Sequence, residues 1–337
     1  MAHNEQGSVA AEIKADGSFN RQKNRFDTPF GFGEGELPVE AGRYRLLWSA
    51  VCPWAHRSVI VRKVLGLEEV ISLGTASPMR PKLPHVDWEF SLDENGVDPV
   101  LGIRYMSEIY KNTDPDYSGR PTVPVMVDVK ENKVVNNDYF KLTNYLETVW
   151  APFHKENAPD LYPESIRGEI DALNDVIFHD VNNGVYKCGF AQTQEAYELA
   201  YDTLFARLDE LEERLSKQRF LFGDYITDSD VRLYATLVRF DAAYYSAFKT
   251  NRNRIVDFPN LWGYLRDLYQ TPGFGDTTDF DAIKRHYHLS NHIASNDQKG
   301  HNSILPKGPD LSGLLTGHNR QELSNKNVKF LIKGGSQ

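Results

Sequence analysis

Along residues 43–49, Tyr44, Leu46 and Trp48 alternate with Arg43, Arg45 and Leu47. A period of two predicts a strand that is at least half buried. The period then changes. Val59, Ile60, Val64, Leu65 and Leu67 recur at helical spacing, Pro53 suits the first helical position, and Gly66 marks the end. Glu69–Leu73 reads as a second strand, completing a strand–helix–strand unit. From 74 to 118 the pattern is lost. Pro78, Pro81, Pro84 and Pro99 surround Asp87-Trp88-Glu89-Phe90, and a short helix near Tyr105–Lys111 interrupts this long insertion. Alternation returns over Thr122–Val129, turns at Glu131-Asn132 and comes back as Lys133–Val135, a hairpin. Pro124 at its start is a candidate for a cis peptide bond. Asn137–Val149 closes this half as a helix with Leu142, Tyr145, Leu146 and Val149 on one side.

The order β-α-β, insertion, β-β-α is thioredoxin-like. It occupies residues 42–150, behind a polar N-terminal arm (1–41) in which Phe19, Phe26, Phe30 and Phe32 are spaced as anchors. A proline-rich linker, 151–163, follows. From 164 to 290 the periodicity is helical throughout. Ile166, Ile170, Leu173, Ile177 and Val181 form one stripe, which Asn182-Asn183-Gly184 is expected to stop. Leu199, Leu204, Leu208, Leu211 and Leu215 form a second, with Glu210–Arg214 and Glu213–Lys217 as surface pairs. Thr227 and Asp230 read as a capping box opening a mostly apolar, central helix through Leu233, Leu237 and Phe240. Pro259–Leu268 is another helix, ended by Thr271-Pro272-Gly273, and a last one lies near Asp279–Leu289. Residues 291–337 read as an extended tail. The expected fold class is α/β plus all-α: a thioredoxin-like domain followed by an all-helical domain.

Composition narrows the function. A chain of 337 residues exceeds one ordinary core. Net charge is −9 with no long basic run, which argues against nucleic acid as a partner. No stretch reaches the ~20 apolar residues of a membrane span, and the N-terminus carries no signal-peptide core, so a cytoplasmic location is expected. Cys52 and Cys188 are the only cysteines, too few for a disulfide framework. His286, His288 and His292 have no carboxylate or cysteine at ligand spacing, so no metal is expected and the three read as an exposed helix face. Cys188 reads as structural or incidental.

Cys52 differs from Cys188 in its place, where a strand turns into a helix. There it meets unpaired backbone N–H groups and the positive end of the helix dipole, an environment that favours a reactive thiolate. His56 and Arg57 either add positive potential or lie on the helix surface.

Cys52-Pro53-Trp54-Ala55 at the first helix, ahead of a helical domain, resembles the glutathione transferases. Gly42-Arg43-Tyr44 before Ser49–Arg57, together with residues 114–120, 122–125, 182–187, 218–219, 237–241, 259–273 and 283–287, is similar to the Xi class, the glutathionyl-hydroquinone reductases. The matching segments are spread over roughly residues 17–290. This resemblance implies that Cys52 attacks the sulfur of a glutathionyl-hydroquinone, releases the hydroquinone and is left in a mixed disulfide. A second glutathione then resolves it, since Ala55 stands where a resolving cysteine would be. It also implies that glutathione is the co-substrate, that Tyr186, Tyr244 and Tyr287 bind the substrate, and that Trp88, Val123 and Pro124 line the thiol site. A homodimer is implied as well. The family reads Asn-Glu-Ser where this chain has Asn137-Asp138-Tyr139. Asp138 and Tyr139 therefore predict a pocket that holds glutathione weakly or takes another low-molecular-weight thiol. Two other readings stay open: an omega-like thiol transferase or dehydroascorbate reductase, and a non-enzymatic carrier of thiols or aromatic ligands.

Overall fold

A computed structural model describes residues 10–80, 86–290 and 304–332. A short parallel pair, β1 (Phe30–Gly31) and β2 (Leu37–Pro38), precedes a four-stranded sheet. The sheet comprises β3 (Tyr44–Trp48), β4 (Ile71–Thr75), β5 (Val125–Asp128) and β6 (Lys133–Asn136), in the order β4-β3-β5-β6. β4 runs parallel to β3, from Tyr44 opposite Ile71 to Trp48 opposite Thr75. β5 runs antiparallel to both β3 and β6. Between β3 and β4 lies α1 (Pro53–Val64), with Pro53 at its start and Gly66 just beyond its end at φ +74°. α2 (Met106–Thr113) is the short helix of the insertion, and α3 (Leu142–Glu147) follows the hairpin.

β3 is buried on both faces. The insertion covers the second face, and a buried ion pair fixes it there: Arg45 Nη2 donates to Asp98 Oδ2 at 2.7 Å. Asp98 Oδ1 in turn accepts the N–H groups of Val100 and Leu101. The pair crosses β4 at Gly74, where a Cβ would lie 2.8 Å from Asp98 Oδ2 and 2.9 Å from Arg45 Nε. Only glycine leaves that room.

Two boundaries differ from expectation. β4 begins two residues later than Glu69, because residues 67–71 form a turn in which Val70 and Ile71 both donate to the Leu67 carbonyl. α3 begins at Leu142 rather than Asn137. The Asp138 side chain accepts the N–H groups of Phe140 and Lys141 and holds residues 137–141 as a turn, an alternative that short polar side chains offer the backbone.

In the helical half, α4 (Arg167–Ile177) does not stop at Asn182-Asn183-Gly184. It widens into a π-helical segment, Phe178–Asn182, and continues as α5 (Gly184–Phe190). Asn182 faces inward, its amide donating to the Arg232 carbonyl and to Thr236 Oγ1. α6 (Gln194–Leu215) carries the expected Lys217–Glu213 pair, but Glu210 pairs with Arg207, while Arg214 donates to the Leu221 carbonyl. α7 (Asp228–Arg239) is buried along its whole length behind its Thr227–Asp230 capping box. It widens at Phe240–Tyr244 into a second π segment, followed by α8 (Tyr245–Ala247). α9 (Pro259–Tyr269) and α10 (Phe280–Lys284) complete the helices, and α10 runs into a third π segment, Arg285–Leu289.

The chain divides into two compact units. The first takes described residues from 10–12, 21–154 and 281–306; the second takes 13–20, 155–280 and those from 307 on. Arm residues 13–20 thus group with the helices. Gln192 donates to the Gly17 carbonyl, Thr193 Oγ1 to the Asp16 carbonyl, and the Phe19 ring lies 5.0 Å from Phe190. Residues 281–290 group with the sheet. His286 Nδ1 bonds the Pro78 carbonyl at 2.8 Å, and Ser290 Oγ accepts the Arg80 N–H at 2.9 Å. The tail is anchored in the second unit, where Lys329 reaches Asp267 and Ile226 donates to the Lys329 carbonyl. Among the described residues no helix is long and apolar enough to cross a membrane.

Candidate active site

Cys52 is the N-cap residue of α1, with extended backbone (φ −79°, ψ 116°) and a buried side chain that does not cap the helix. Its Sγ donates to the Val123 carbonyl at 3.3 Å. The Val123–Pro124 peptide is cis. Cys52, Val123 and Pro124 therefore meet, as their motifs imply. Tyr110 holds this segment from behind, its hydroxyl donating to the Thr122 carbonyl at 2.8 Å and accepting from Asn137 at 3.2 Å. Burial pushes the Tyr110 hydroxyl far above its ordinary acidity range, so it stays a proton donor.

One wall of the site comes from the insertion and residues 286–290. The Trp88 ring stacks on the His286 imidazole at 5.5 Å and 18°, and the His286 ring meets Tyr287 edge-on at 5.0 Å. The Arg80 guanidinium carbon lies 4.8 Å from the centre of the Trp88 ring. Burial brings Arg80 down to about 9; Arg120 acts in the same direction, while Asp87 and Cys52 oppose it. The insertion itself starts from the sheet end, where Ala76 donates to the Trp48 carbonyl and Ser49 Oγ to that of Ser77. Trp88 and Tyr287, far apart in sequence, are thus joined through His286.

A second wall surrounds Trp54. Its ring lies 5.1 Å from that of Tyr139, 4.6 Å from the Arg21 guanidinium carbon and 5.0 Å from that of Arg57. Arg57 also donates to the Tyr139 carbonyl at 2.8 Å. Burial raises the Tyr139 hydroxyl, and the Arg21 and Arg57 charges counter it. Next to Tyr139, Asp138 Oδ1 accepts from Asn24 Nδ2, Phe140 N and Lys141 N at 3.0–3.2 Å.

In the second unit, Tyr186 on α5 and Tyr244 at the end of the second π segment have ring centres 6.0 Å apart. Phe190 and Phe248 complete the cluster, with Phe248 stacked on Tyr244 at 5.2 Å. Tyr186, Tyr244 and Tyr287 each lie in, or within four residues of, a π segment. Such wide turns re-aim the side chains around them and recur at functional sites.

Several residues of the first unit were misplaced or left unread by the sequence. His286 is not on an exposed face, since it stacks on Trp88, and His288 is buried; His292 lies outside the described residues. His56 and Arg57 are fully buried rather than on the helix surface. Arg80 sits in an aperiodic segment and Arg21 in the arm, where spacing carries no signal. Cys188 is buried, and burial pushes its thiol up to about 12. Among the described residues no group of His, Cys, Asp and Glu has a metal-binding arrangement.

Comparison with known proteins identifies the family. Residues 51–149 match the glutathione S-transferase N-terminal domain family, and residues 194–267 match the C-terminal domain family. The glutathionyl-hydroquinone reductase YqjG of Escherichia coli is 39% identical over 301 residues, covering 87% of this chain and 88% of that protein. The chain belongs to the Xi-class glutathione transferases, the glutathionyl-hydroquinone reductase family. A glutathione transferase from Gordonia bronchialis is 49% identical with a TM-score of 0.82, covering 89% of each chain. The Xi-class transferase of Natrialba magadii is 38% identical with the same TM-score, covering 93% of this chain and 94% of its own. Like other Xi-class transferases, the protein combines a thioredoxin-like N-terminal domain with a helical C-terminal domain.

Proposed function

We propose that this chain reduces glutathionyl-hydroquinones to hydroquinones with a thiol as electron donor. The observation that carries the reading is the position of Cys52 at the start of α1, its sulfur turned to the Val123–Pro124 segment. The Cys52 thiolate attacks the glutathione sulfur, and the Cys52–glutathione disulfide forms as the sulfur–aryl bond breaks. The electron pair stays with the aromatic carbon, which takes a proton and leaves as the free hydroquinone. A second glutathione thiolate then attacks the mixed disulfide, giving oxidised glutathione and the Cys52 thiolate again. One glutathione thiol is thus consumed per turnover, and its sulfur and the conjugate's sulfur together give the two electrons that reduce the aryl–sulfur bond.

In this reading the Val123 backbone pairs with the peptide part of glutathione, while Asp138 and Tyr139 face its γ-glutamyl end. Trp88 covers the bound tripeptide. Tyr186, Tyr244 and Tyr287 hold the quinol oxygens by hydrogen bonds from their phenolic hydroxyls. The co-substrate is glutathione, no metal takes part, and the protein works as a cytoplasmic homodimer without nucleic-acid or membrane partners.

Turnover of a glutathionyl-hydroquinone by the wild type and by Cys52→Ser tests the reading. The wild type should release hydroquinone, and the variant should lose turnover by about a thousandfold or more. Equal rates would remove Cys52 as the nucleophile. A wild type that turns over dehydroascorbate but no glutathionyl-hydroquinone would point to an omega-like enzyme instead.

A further inference from the structure

In the second unit, polar side chains tie the run α4–α5, which carries Tyr186, to α7, which leads to Tyr244. They do so at two levels. Asn174 on α4 donates to Asp228 Oδ2 at 2.9 Å and accepts from Ser229 Oγ at 2.7 Å, at the start of α7. Further along, Asn182 donates to the Arg232 carbonyl at 3.0 Å and to Thr236 Oγ1 at 2.7 Å. Asn182 and Thr236 are both buried.

The spacings along the two runs differ by one residue. Ser229 and Thr236 are seven residues apart on α7, two α-helical turns, and so share a face. Asn174 and Asn182 are eight apart, and eight α-helical residues overshoot two turns by about 80°. The wide segment Phe178–Asn182 takes up the extra residue and returns Asn182 to the face of Asn174. The same count recurs beyond α7. Tyr244 lies eight residues after Thr236, and the wide segment Phe240–Tyr244 takes up the extra residue there. Tyr186 follows Asn182 by four, one turn further. Both tyrosines thus fall on the faces that the Asn182–Thr236 bond pins together, and their ring centres lie 6.0 Å apart. Closing the first wide turn into plain α-helix would swing Tyr186 off that face, and the Asn182 bonds oppose this.

We infer, on the proposed reading of those two tyrosines, that Asn182 and Thr236 are positioning residues whose hydrogen bond sets how Tyr186 and Tyr244 hold the quinol ring. Neither is a catalytic residue; both act through the tyrosines. They tune recognition of the aromatic end of the substrate and leave recognition of its thiol end alone.

The test is binding by calorimetry in full-length Cys52→Ser protein, which does not consume the substrate. The probes are a glutathionyl-hydroquinone and glutathione, which has no aromatic ring. Thr236→Val removes the acceptor and keeps the shape of the side chain, whereas Thr236→Ser keeps the acceptor. Thr236→Val should weaken the conjugate about tenfold with glutathione unchanged, and Thr236→Ser should restore the conjugate. In a Tyr186→Phe background, Thr236→Val should cost less than about threefold, because the hydroxyl it positions is gone. Asn182→Ala deletes the other end of the bond and should shift the two affinities in the same way, which keeps the test open if one variant fails to fold. Unchanged conjugate affinity, equal weakening of both probes, or an undiminished effect in Tyr186→Phe would overturn the inference. A Cys52→Ser parent that binds glutathione but no conjugate would overturn the reductase reading and the inference with it. A parent that binds the conjugate separates the two.

Discussion

Cys52 and Cys188 have the same chemistry in different surroundings. Cys188 sits inside the second unit, where burial pushes its thiol up to about 12 and keeps it protonated. Cys52 sits at a helix start with its sulfur on a backbone carbonyl. At the same scale, Asp98 holds the insertion to the sheet. Replacing Asp98 by Asn keeps the bonds to Val100 and Leu101 but leaves the buried Arg45 guanidinium without its counter-charge. The expected cost is about 3–5 kcal/mol of stability. Urea unfolding of Asp98→Asn against wild type measures it; a change within error would mean that the pair is dispensable.

At the scale of elements, strands and helices with a clear period were legible. β3, the hairpin and the Thr227-capped α7 follow directly from alternation, turn residues and a capping box. The boundaries that moved did so for local reasons. Asp138 caps a turn that propensity reads as helix, and Asn182 finds inward partners that let a helix widen instead of stopping. His286 and Arg21 could not be read from spacing, because their partners lie far away in the chain, and Arg80 sits in an aperiodic segment.

The tail shows the same limit. Its aperiodic sequence hides an anchor at Asp267, which takes Arg219 at 2.8 Å and Lys329 at 2.8 Å. Burial alone would raise the Asp267 carboxyl. The bonds and charges of Arg219 and Lys329 outweigh it and hold it below the ordinary 3.8. A folded value below the unfolded one stabilises the protein above pH 3.8, and that contribution is lost as pH falls through the folded value. Asp267→Asn should therefore cost about 3–5 kcal/mol at neutral pH. It should also lose stability less steeply than wild type below pH 3.8. Urea midpoints across that range check both, and parallel acid profiles would count against the anchor.

For the whole molecule, the residues assigned to the thiol lie in the first unit with Tyr287, while Tyr186 and Tyr244 form their own aromatic cluster in the second. The proposed reaction has one sulfur at its centre. The most direct measurement is a single turnover without free thiol: wild-type protein is mixed with one equivalent of a glutathionyl-hydroquinone, and released hydroquinone and peptide masses are followed together. The account predicts one hydroquinone for each glutathionyl group gained on Cys52, none on Cys188, and loss of the adduct once glutathione is added. Hydroquinone released with Cys52 unmodified, or an adduct on Cys188, would contradict it.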